Sequence, residues 1–253
     1  MGSEKTYRAC LLIIGNEILS GRTQDANLTY LATKLNEAGI RLKEARVIPD
    51  EPEVIVATVN EVRPRFDYVF TTGGIGPTHD DITSECVARA FGVKLILHPD
   101  AKRLLETHYK PGQLNEARLR MAHVPEGATL IENPVSRAPG FRIGNVFVLA
   151  GVPEVMRAML DGVVPHLAGG APVRSRTISC HLAEGVLAAG LGAVQQRYPD
   201  LDIGSYPSFR RTGYGVSLVL RGTDDGRLAA AAEEVRALIR ELGGDPQEDT
   251  PTS

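Results

Sequence analysis

The chain has 253 residues, 43% of them hydrophobic and 23% charged, with a formal net charge of -3 and a pI near 6.1. This is the composition of an ordinary globular protein, and it lacks the basic excess that a nucleic-acid-coating surface needs to release counterions. No run approaches the roughly 18 apolar residues that span a bilayer, and Ala9 to Ile14 is too short for a signal-peptide core. No nucleic-acid or membrane partner is therefore expected, and the expected location is cytoplasmic. Met1-Gly2-Ser3-Glu4-Lys5-Thr6 fits the permissive myristoylation pattern, which carries little weight. The length suggests one large domain with a smaller appendage. Cys10, Cys86 and Cys180 are isolated and odd in number, which points to buried reduced thiols rather than zinc or redox chemistry.

Arg8 to Gly15 is a continuous apolar run ending in glycine, as a parallel strand covered on both faces requires. A polar loop, Asn16 to Gly21, leads to a helix from about Asp25, with Leu28, Leu31, Leu35 and Ala38 at helical period and Gly39 as its stop. Ile40 to Ile48 reads as a second strand. Asp50-Glu51-Pro52-Glu53 offers an N-cap, acidic first-turn residues and a proline near the helix start. The helix that follows carries Val54, Ile55, Thr58, Val59 and Val62. Phe66 to Phe70 is a third strand. The β-α-β-α-β-α order predicts a parallel sheet with helices on both faces.

Further on, Val93 to Leu97 is another short strand, a helix opens at Pro99-Asp100, and Asn115 to Met121 continues in helix. Ala128 to Glu132, Gly140 to Ile143 and Val146 to Ala150 read as short strands, the last two joined by the hairpin signal Gly144-Asn145. A helix then runs from Pro153 to about Leu167. Gly169-Gly170-Ala171-Pro172 marks a boundary. Beyond it, strand, helix, two strands and a helix predict a small α+β domain over 173–243, and the polar residues 244–253 are expected to be disordered. The first domain is assigned to 7–168.

Phe70 opens onto Thr71-Thr72-Gly73-Gly74-Ile75-Gly76-Pro77-Thr78-His79-Asp80-Asp81, a strand-to-helix turn followed by a helix over Ile82 to Ala90. Glycines permit a sharp bend or a close backbone approach, and a helix start directs free N–H groups at bound anions. Asp80 and Asp81 at the same place repel a phosphate unless a cation lies between, which suggests a metal-assisted phosphate site. Thr78 and Asp81 also fit a capping box, and aspartates suit a helix start through its dipole alone.

A dinucleotide fingerprint, a P-loop, a nucleophile elbow and a zinc helix are all missing. What remains is a set of polar loops that a parallel sheet would place along its carboxyl edge, where such folds bind ligands. They are Gly15-Asn16-Glu17, the glycine turn, Asn133 to Gly140 with Ser136 and Arg137, and Gly151-Val152-Pro153-Glu154. Glu17 and Glu154 are further carboxylate candidates, although either suits a helix start equally. Asn16 and Asn133 fit turns as well as ligands. His98, His108, His123, His166 and His181 form no constellation and are expected to be structural. In the small domain, Asp202 to Pro207 and Phe209-Arg210-Arg211 could face a cleft or a partner.

These four loops, in this order, resemble the MoaB/Mog-like molybdopterin-binding domain. They are most similar to its version at the N-terminus of competence/damage-inducible protein A (CinA) and in the pyrophosphatase-like half of eukaryotic FAD synthases. The resemblance runs from about Arg8 to Leu167, and the small domain is similar in order to the middle segment of CinA-type proteins. It implies an α/β fold: a three-layer, parallel (mixed) sheet of the molybdopterin-binding type followed by a small α+β domain. Two departures stand out. His79 occupies the place of a lysine found in many CinA proteins, and Ser136-Arg137 replaces a small Gly-Thr pair, so that Arg137 is the candidate for the missing positive charge. The additional deamidase domain of full CinA proteins has no room in this sequence, and its activity is not transferred.

The resemblance implies a phosphorylated nucleotide or pterin ligand and hydrolysis of a phosphoanhydride, as in ADP-ribose or FAD, with a divalent metal (Mg, Mn or Co). A non-catalytic nucleotide- or molybdopterin-binding protein and a molybdopterin adenylyltransferase are the alternatives. Asp81, Asp80 and Glu17 are the candidate catalytic residues, with Asp80 and Asp81 holding the metal. Ligand contacts are expected from Gly15, Asn16, Thr72, Gly73, Gly74, Gly76, Pro77, Thr78, His79, Asn133, Arg137, Gly151, Pro153 and Glu154. A homo-oligomer, dimer or trimer, is expected.

Overall fold

The computed structural model describes residues 5–210 and 213–249. The myristoylation pattern therefore begins outside the described residues, and the cluster Phe209-Arg210-Arg211 lies outside the described side chains. The chain divides into two compact units, Met1–Gly170 and Ala171–Ser253.

The first unit opens with β1 (Tyr7–Ile14), a single helical turn α1 (Asn16–Leu19), α2 (Asn27–Glu37), β2 (Ile40–Ile48), α3 (Pro52–Val62), β3 (Tyr68–Thr72) and α4 (Thr83–Phe91). It continues through β4 (Leu95–Leu97), α5 (Pro99–His108), α6 (Glu116–Leu119), β5 (His123–Pro125), β6 (Thr129–Ile131), β7 (Gly140–Ile143), β8 (Val146–Leu149) and α7 (Pro153–Val163). A six-stranded sheet runs in the order β2-β1-β3-β8-β7-β6. β2, β1, β3 and β8 are parallel to one another, and β7 is antiparallel to both β8 and β6.

The apolar run of β1 has the physical cause read from it. Cys10, Leu12 and Ile14 pack on the side of α3 and α4, with Ile55, Val59 and Val87. Ala9, Leu11 and Ile13 pack on the opposite side with α2 and α7, against Leu31, Leu35, Met156 and Leu160. Every second residue serves a different layer, so a strand buried on both faces must be apolar throughout. Each Leu or Ile so buried contributes roughly 1.5–3 kcal/mol.

The short strand read over Val93 to Leu97 is β4; it lies outside the main sheet and pairs antiparallel with the unforeseen β5, and its Leu95 and Leu97 remain partly exposed. Two expectations change. Asp50 does not cap α3, whose N-cap is Glu51 without a side-chain bond. Its carboxylate instead accepts the Asn16 amide at 2.8 Å and ties two loops together. α4 begins at Thr83 rather than Ile82, so Asp80 and Asp81 precede the helix.

The second unit comprises β9 (Arg174–Cys180), α8 (Glu184–Arg197), β10 (Asp202–Arg210), β11 (Gly213–Gly222), α9 (Asp225–Glu241) and β12 (Gln247–Asp249), with sheet order β10-β11-β9-β12. Ile178, Leu187, Leu218, Leu228 and Val235 belong to its core. β12 lies in the stretch expected to be disordered. It pairs with β9 through Gln247↔Ser179, Glu248↔Ile178 and Asp249↔Thr177, a ladder of backbone bonds that needs no apolar side chain and so leaves no hydrophobic signature.

Candidate functional site

The parallel strands bring their carboxyl ends to one edge of the first unit. From strand order and direction, that edge carries in sequence Asp50, Gly15, Gly73, Gly151 and then the Asn133 loop. The backbones touch there: a Cβ placed on Gly151 would lie 3.1 Å from Gly73 Cα, and one on Gly73 would lie 2.2 Å from the Ile14 carbonyl. Gly15 donates its amide to Ile48 O at 3.2 Å.

The glycines of the turn are held by the protein itself. Gly73 and Gly74 have φ of 102° and 68°, a region open to glycine and costly for other residues. A Cβ on Gly74 would sit 2.1 Å from Thr83 Oγ1, which donates to Gly73 O at 3.0 Å. A Cβ on Gly76 would sit 2.7 Å from Asp81 Oδ2. Backbone bending and internal packing account for Gly73 and Gly74, the sharp-bend alternative among the expectations, while Gly76 faces only the end of the Asp81 side chain. The amides do remain available: among the described residues, those of Gly74, Ile75 and Gly76 donate to no protein acceptor. Successive free amides are the donors from which an anion-binding concavity is built. The N-terminus of the nine-residue α4 follows it.

Asp81 Oδ2 accepts both the Thr78 amide at 2.7 Å and the Thr78 hydroxyl at 2.5 Å. The capping-box residues are thus bonded to each other, but they close the turn before α4 rather than cap the helix. Asp81 also lines a cleft of about 260 Å³. Gly76, Ser84 and Glu85 share its wall; Arg120 and His123 also line it, together with Ile75 and Leu95. Asp80 is 65% exposed and outside that lining. His79 is 96% exposed, with Nδ1 4.0 Å from Asp80 Oδ1. Pro77 is exposed as well.

The other loops divide by role. The Glu17 carboxylate folds back over Gly15, where an added Cβ would meet Oε1 at 2.5 Å. Asn16 is exposed and its amide is bound to Asp50. Asn133 is buried and fully used: Nδ2 donates to Ser136 Oγ and Ala138 O at 2.6 and 2.8 Å, while Oδ1 accepts the amides of Val135 and Ser136 at 3.0 and 3.1 Å. It organises its loop. Arg137 sits at φ 61°, a strained setting for a non-glycine residue, with its guanidinium 3.5 Å from Glu132. Pro153 starts α7, and Glu154 lies exposed in its first turn. Thr72 is buried, and its hydroxyl has no partner.

Several residues at the site were not foreseen. Arg120 falls in a stretch expected to be plain helix; a 3-10 turn over Arg120–Ala122 delivers it to the cleft. His123, expected to be structural, lines the same wall, and its Nδ1 lies 3.2 Å from Leu119 O. Since a carbonyl only accepts, Nδ1 carries the hydrogen. Asn27 is buried at the start of α2, donates Nδ2 to Gly151 O at 2.8 Å, and leaves Oδ1 unpartnered. No periodicity or motif marks these residues, because their proximity arises only through space.

Among the described residues, no group of three His, Cys, Asp or Glu side chains is placed to hold a metal. A closed zinc-type centre does not fit. Asp81 and Glu85 line one cleft, and carboxylate oxygens are the donor type that a hard cation takes beside water and phosphate. No helix among the described residues is long and apolar enough to cross a membrane.

Residues 10–169 match the family described as "Probable molybdopterin binding domain", and residues 172–243 match "FAD synthase, middle domain". A protein of Archaeoglobus fulgidus is 33% identical over 231 residues, which is 91% of this chain and 97% of its own length. A "CinA-like protein" of Desulfosudis oleivorans is 36% identical over 76% of this chain, which spans 52% of that relative. The crystal structure of CinA from Thermoplasma acidophilum, described as a protein of unknown function, has 33% identity and a TM-score of 0.60 over 64% of this chain and 98% of its own. With the expected mixed sheet and loop order in place, the chain belongs to the molybdopterin-binding-domain family, in its CinA-like form with an FAD-synthase middle domain behind it.

Proposed function

We propose that the first unit binds the phosphoanhydride of a dinucleotide such as ADP-ribose or FAD at the glycine turn and hydrolyses it. The observation that carries this reading is the run of free amides from Gly74 to Gly76 beside a cleft lined by Asp81. Amides and the α4 N-terminus place fixed positive dipoles where phosphate oxygens gain charge as the bridging P–O bond breaks. Oδ2 of Asp81 is occupied by Thr78, which fixes the carboxylate and leaves Oδ1 to orient a water toward phosphorus. Water supplies the oxygen of the new P–O bond, the leaving phosphate keeps the bridging oxygen, and the products are two monophosphates.

Asp81 and Glu85, the two carboxylates of the cleft, are the residues that would hold a Mg²⁺, Mn²⁺ or Co²⁺ ion, its other ligands coming from water and phosphate. Such an ion, when bound, neutralises phosphate charge and lowers the pKa of an attacking water. The match of the second unit to the middle domain of an FAD synthase is in keeping with an adenine dinucleotide as ligand.

The test is incubation with a panel of adenine dinucleotides and each cation, with product analysis. Mononucleotides should appear only with metal and vanish with excess EDTA. Asp81→Asn, whose amide oxygen still accepts from Thr78, should lower the rate by about 100-fold or more. Binding of dinucleotides without cleavage under any of these cations would overturn hydrolysis. Full activity of Asp81→Asn would overturn the placement of the site.

A further inference from the structure

The glycine turn supplies dipoles and carboxylates but no cationic side chain, and the two negative charges of a dinucleotide's diphosphate, added to the Asp81 and Glu85 carboxylates of the cleft, exceed what one divalent ion removes. Three side chains compete to balance it. His79 is 96% exposed and does not line the cleft. Arg137 is turned to Glu132 at 3.5 Å. Arg120 lines the cleft, and among the described residues its guanidinium makes no ion pair or hydrogen bond, although Asp81 and Glu85 line the same space.

We propose that Arg120 is the anion-binding cation of this cleft and contacts the phosphate oxygens of the ligand directly. The inference rests on the phosphoanhydride reading above and adds to it the residue and the wall that take the ligand's charge. The cleft is polarised: carboxylates enter from the turn and α4, while Arg120 enters from the 3-10 turn and His123 from the start of β5. A cation and a phosphate placed between them would each meet the opposite charge. A guanidinium suits this task because its planar fork donates to two phosphate oxygens at once.

The mounting is rigid. Ala122 is fully buried with Ala101 and Leu105, and its carbonyl accepts the His98 amide at 2.9 Å. Asn115 caps α6 by accepting the Arg118 amide at 3.0 Å, and the His123 amide bonds Arg120 O. Arg120 therefore rides on a backbone fixed at both ends. The cleft volume of about 260 Å³ also limits what enters. It lies below the roughly 300 Å³ at which pockets begin to enclose drug-sized ligands. A space of this size suits the diphosphate rather than the whole dinucleotide, so the base and ribose would lie outside it.

The experiment is calorimetric titration of the whole chain with inorganic pyrophosphate in Mg²⁺, alongside dinucleotide turnover. Arg120→Ala should weaken pyrophosphate binding by about 10- to 100-fold, the range for losing a charged hydrogen bond. Arg120→Lys should recover part of it, Arg120→Glu should abolish it, and the exposed control Arg103→Ala should bind like the wild type. Circular dichroism identical to wild type would show that these variants are folded. If Arg120→Ala and Arg120→Glu bind within twofold of the wild type while Asp81→Asn loses turnover, this inference is overturned and the proposed function stands. If the wild type binds no pyrophosphate, the phosphoanhydride reading fails and takes this inference with it.

Discussion

Replacing Gly74 by alanine tests whether the turn is held by internal packing, and Gly92 provides its control. Both glycines have φ of 68° and both lie in the first unit. An alanine in this left-handed region costs about 1–2 kcal/mol at either position. At Gly92 the added methyl meets nothing within 4 Å, so that cost is the whole effect. At Gly74 the methyl would lie 2.1 Å from Thr83 Oγ1 and 3.1 Å from Thr83 Cβ. Thr83 is fully buried and β-branched, so it has no free rotamer to retreat into. Overpacking adds about 1–3 kcal/mol, and displacing Thr83 Oγ1 loses its bond to Gly73 O, worth about 1 kcal/mol. Gly92→Ala should thus cost about 1–2 kcal/mol and Gly74→Ala about 3–6. Urea unfolding followed by circular dichroism measures both, since the chain has no tryptophan to report by fluorescence. Equal destabilisation of the two variants would refute the packing account and return Gly74 to a role in ligand clearance.

Asn133→Ala removes four loop hydrogen bonds and should cost about 2–4 kcal/mol, with faster proteolysis within 133–138; unchanged stability with weaker ligand binding would instead make it a contact residue. Burial pushes the Cys10 thiol up to about 12 and the Cys86 thiol up to about 11, so neither should react with a thiol reagent at pH 8 until denaturant is added. Because both folded values are raised, the stability they carry is present below the ordinary thiol range and should fall as pH rises from about 9 through 11–12. Asp67 has the opposite sign: its bond from the Arg8 amide, reinforced by Lys5, holds it below its ordinary value, so its contribution should be lost as pH falls through the acid range. Asp67→Asn should flatten that acid limb of the pH–stability curve.

Much of the fold was legible because the signals are local. The run Cys10 to Ile14 must be apolar at every position when two layers cover the strand, and that is visible without coordinates. The hairpin of Gly144-Asn145 appears as read, with Gly144 at φ 56°. Misreadings occurred where polar or short segments fold for backbone reasons. β12 is three polar residues on a ladder, and β5 is three residues that only β4 completes. Asp50 has the residue type of a cap, but its bond runs to Asn16, which only the neighbouring strand brings near.

The amino-acid sequence by itself determined the strand directions, the loops on one edge and the glycine turn with its aspartates, because hydrophobic period and turn chemistry act over a few residues. Tertiary structure alone decided what each loop residue does. It turned Asn133 inward and Arg137 toward Glu132, and it left His79 in solvent. It also placed Arg120 and His123, some 40 positions from Asp81 in the chain, in the cleft that Asp81 lines. The physical reason is that charge and hydrogen-bond complementarity operate through space, and nothing in the local pattern of residues 115–125 records which carboxylates they will meet.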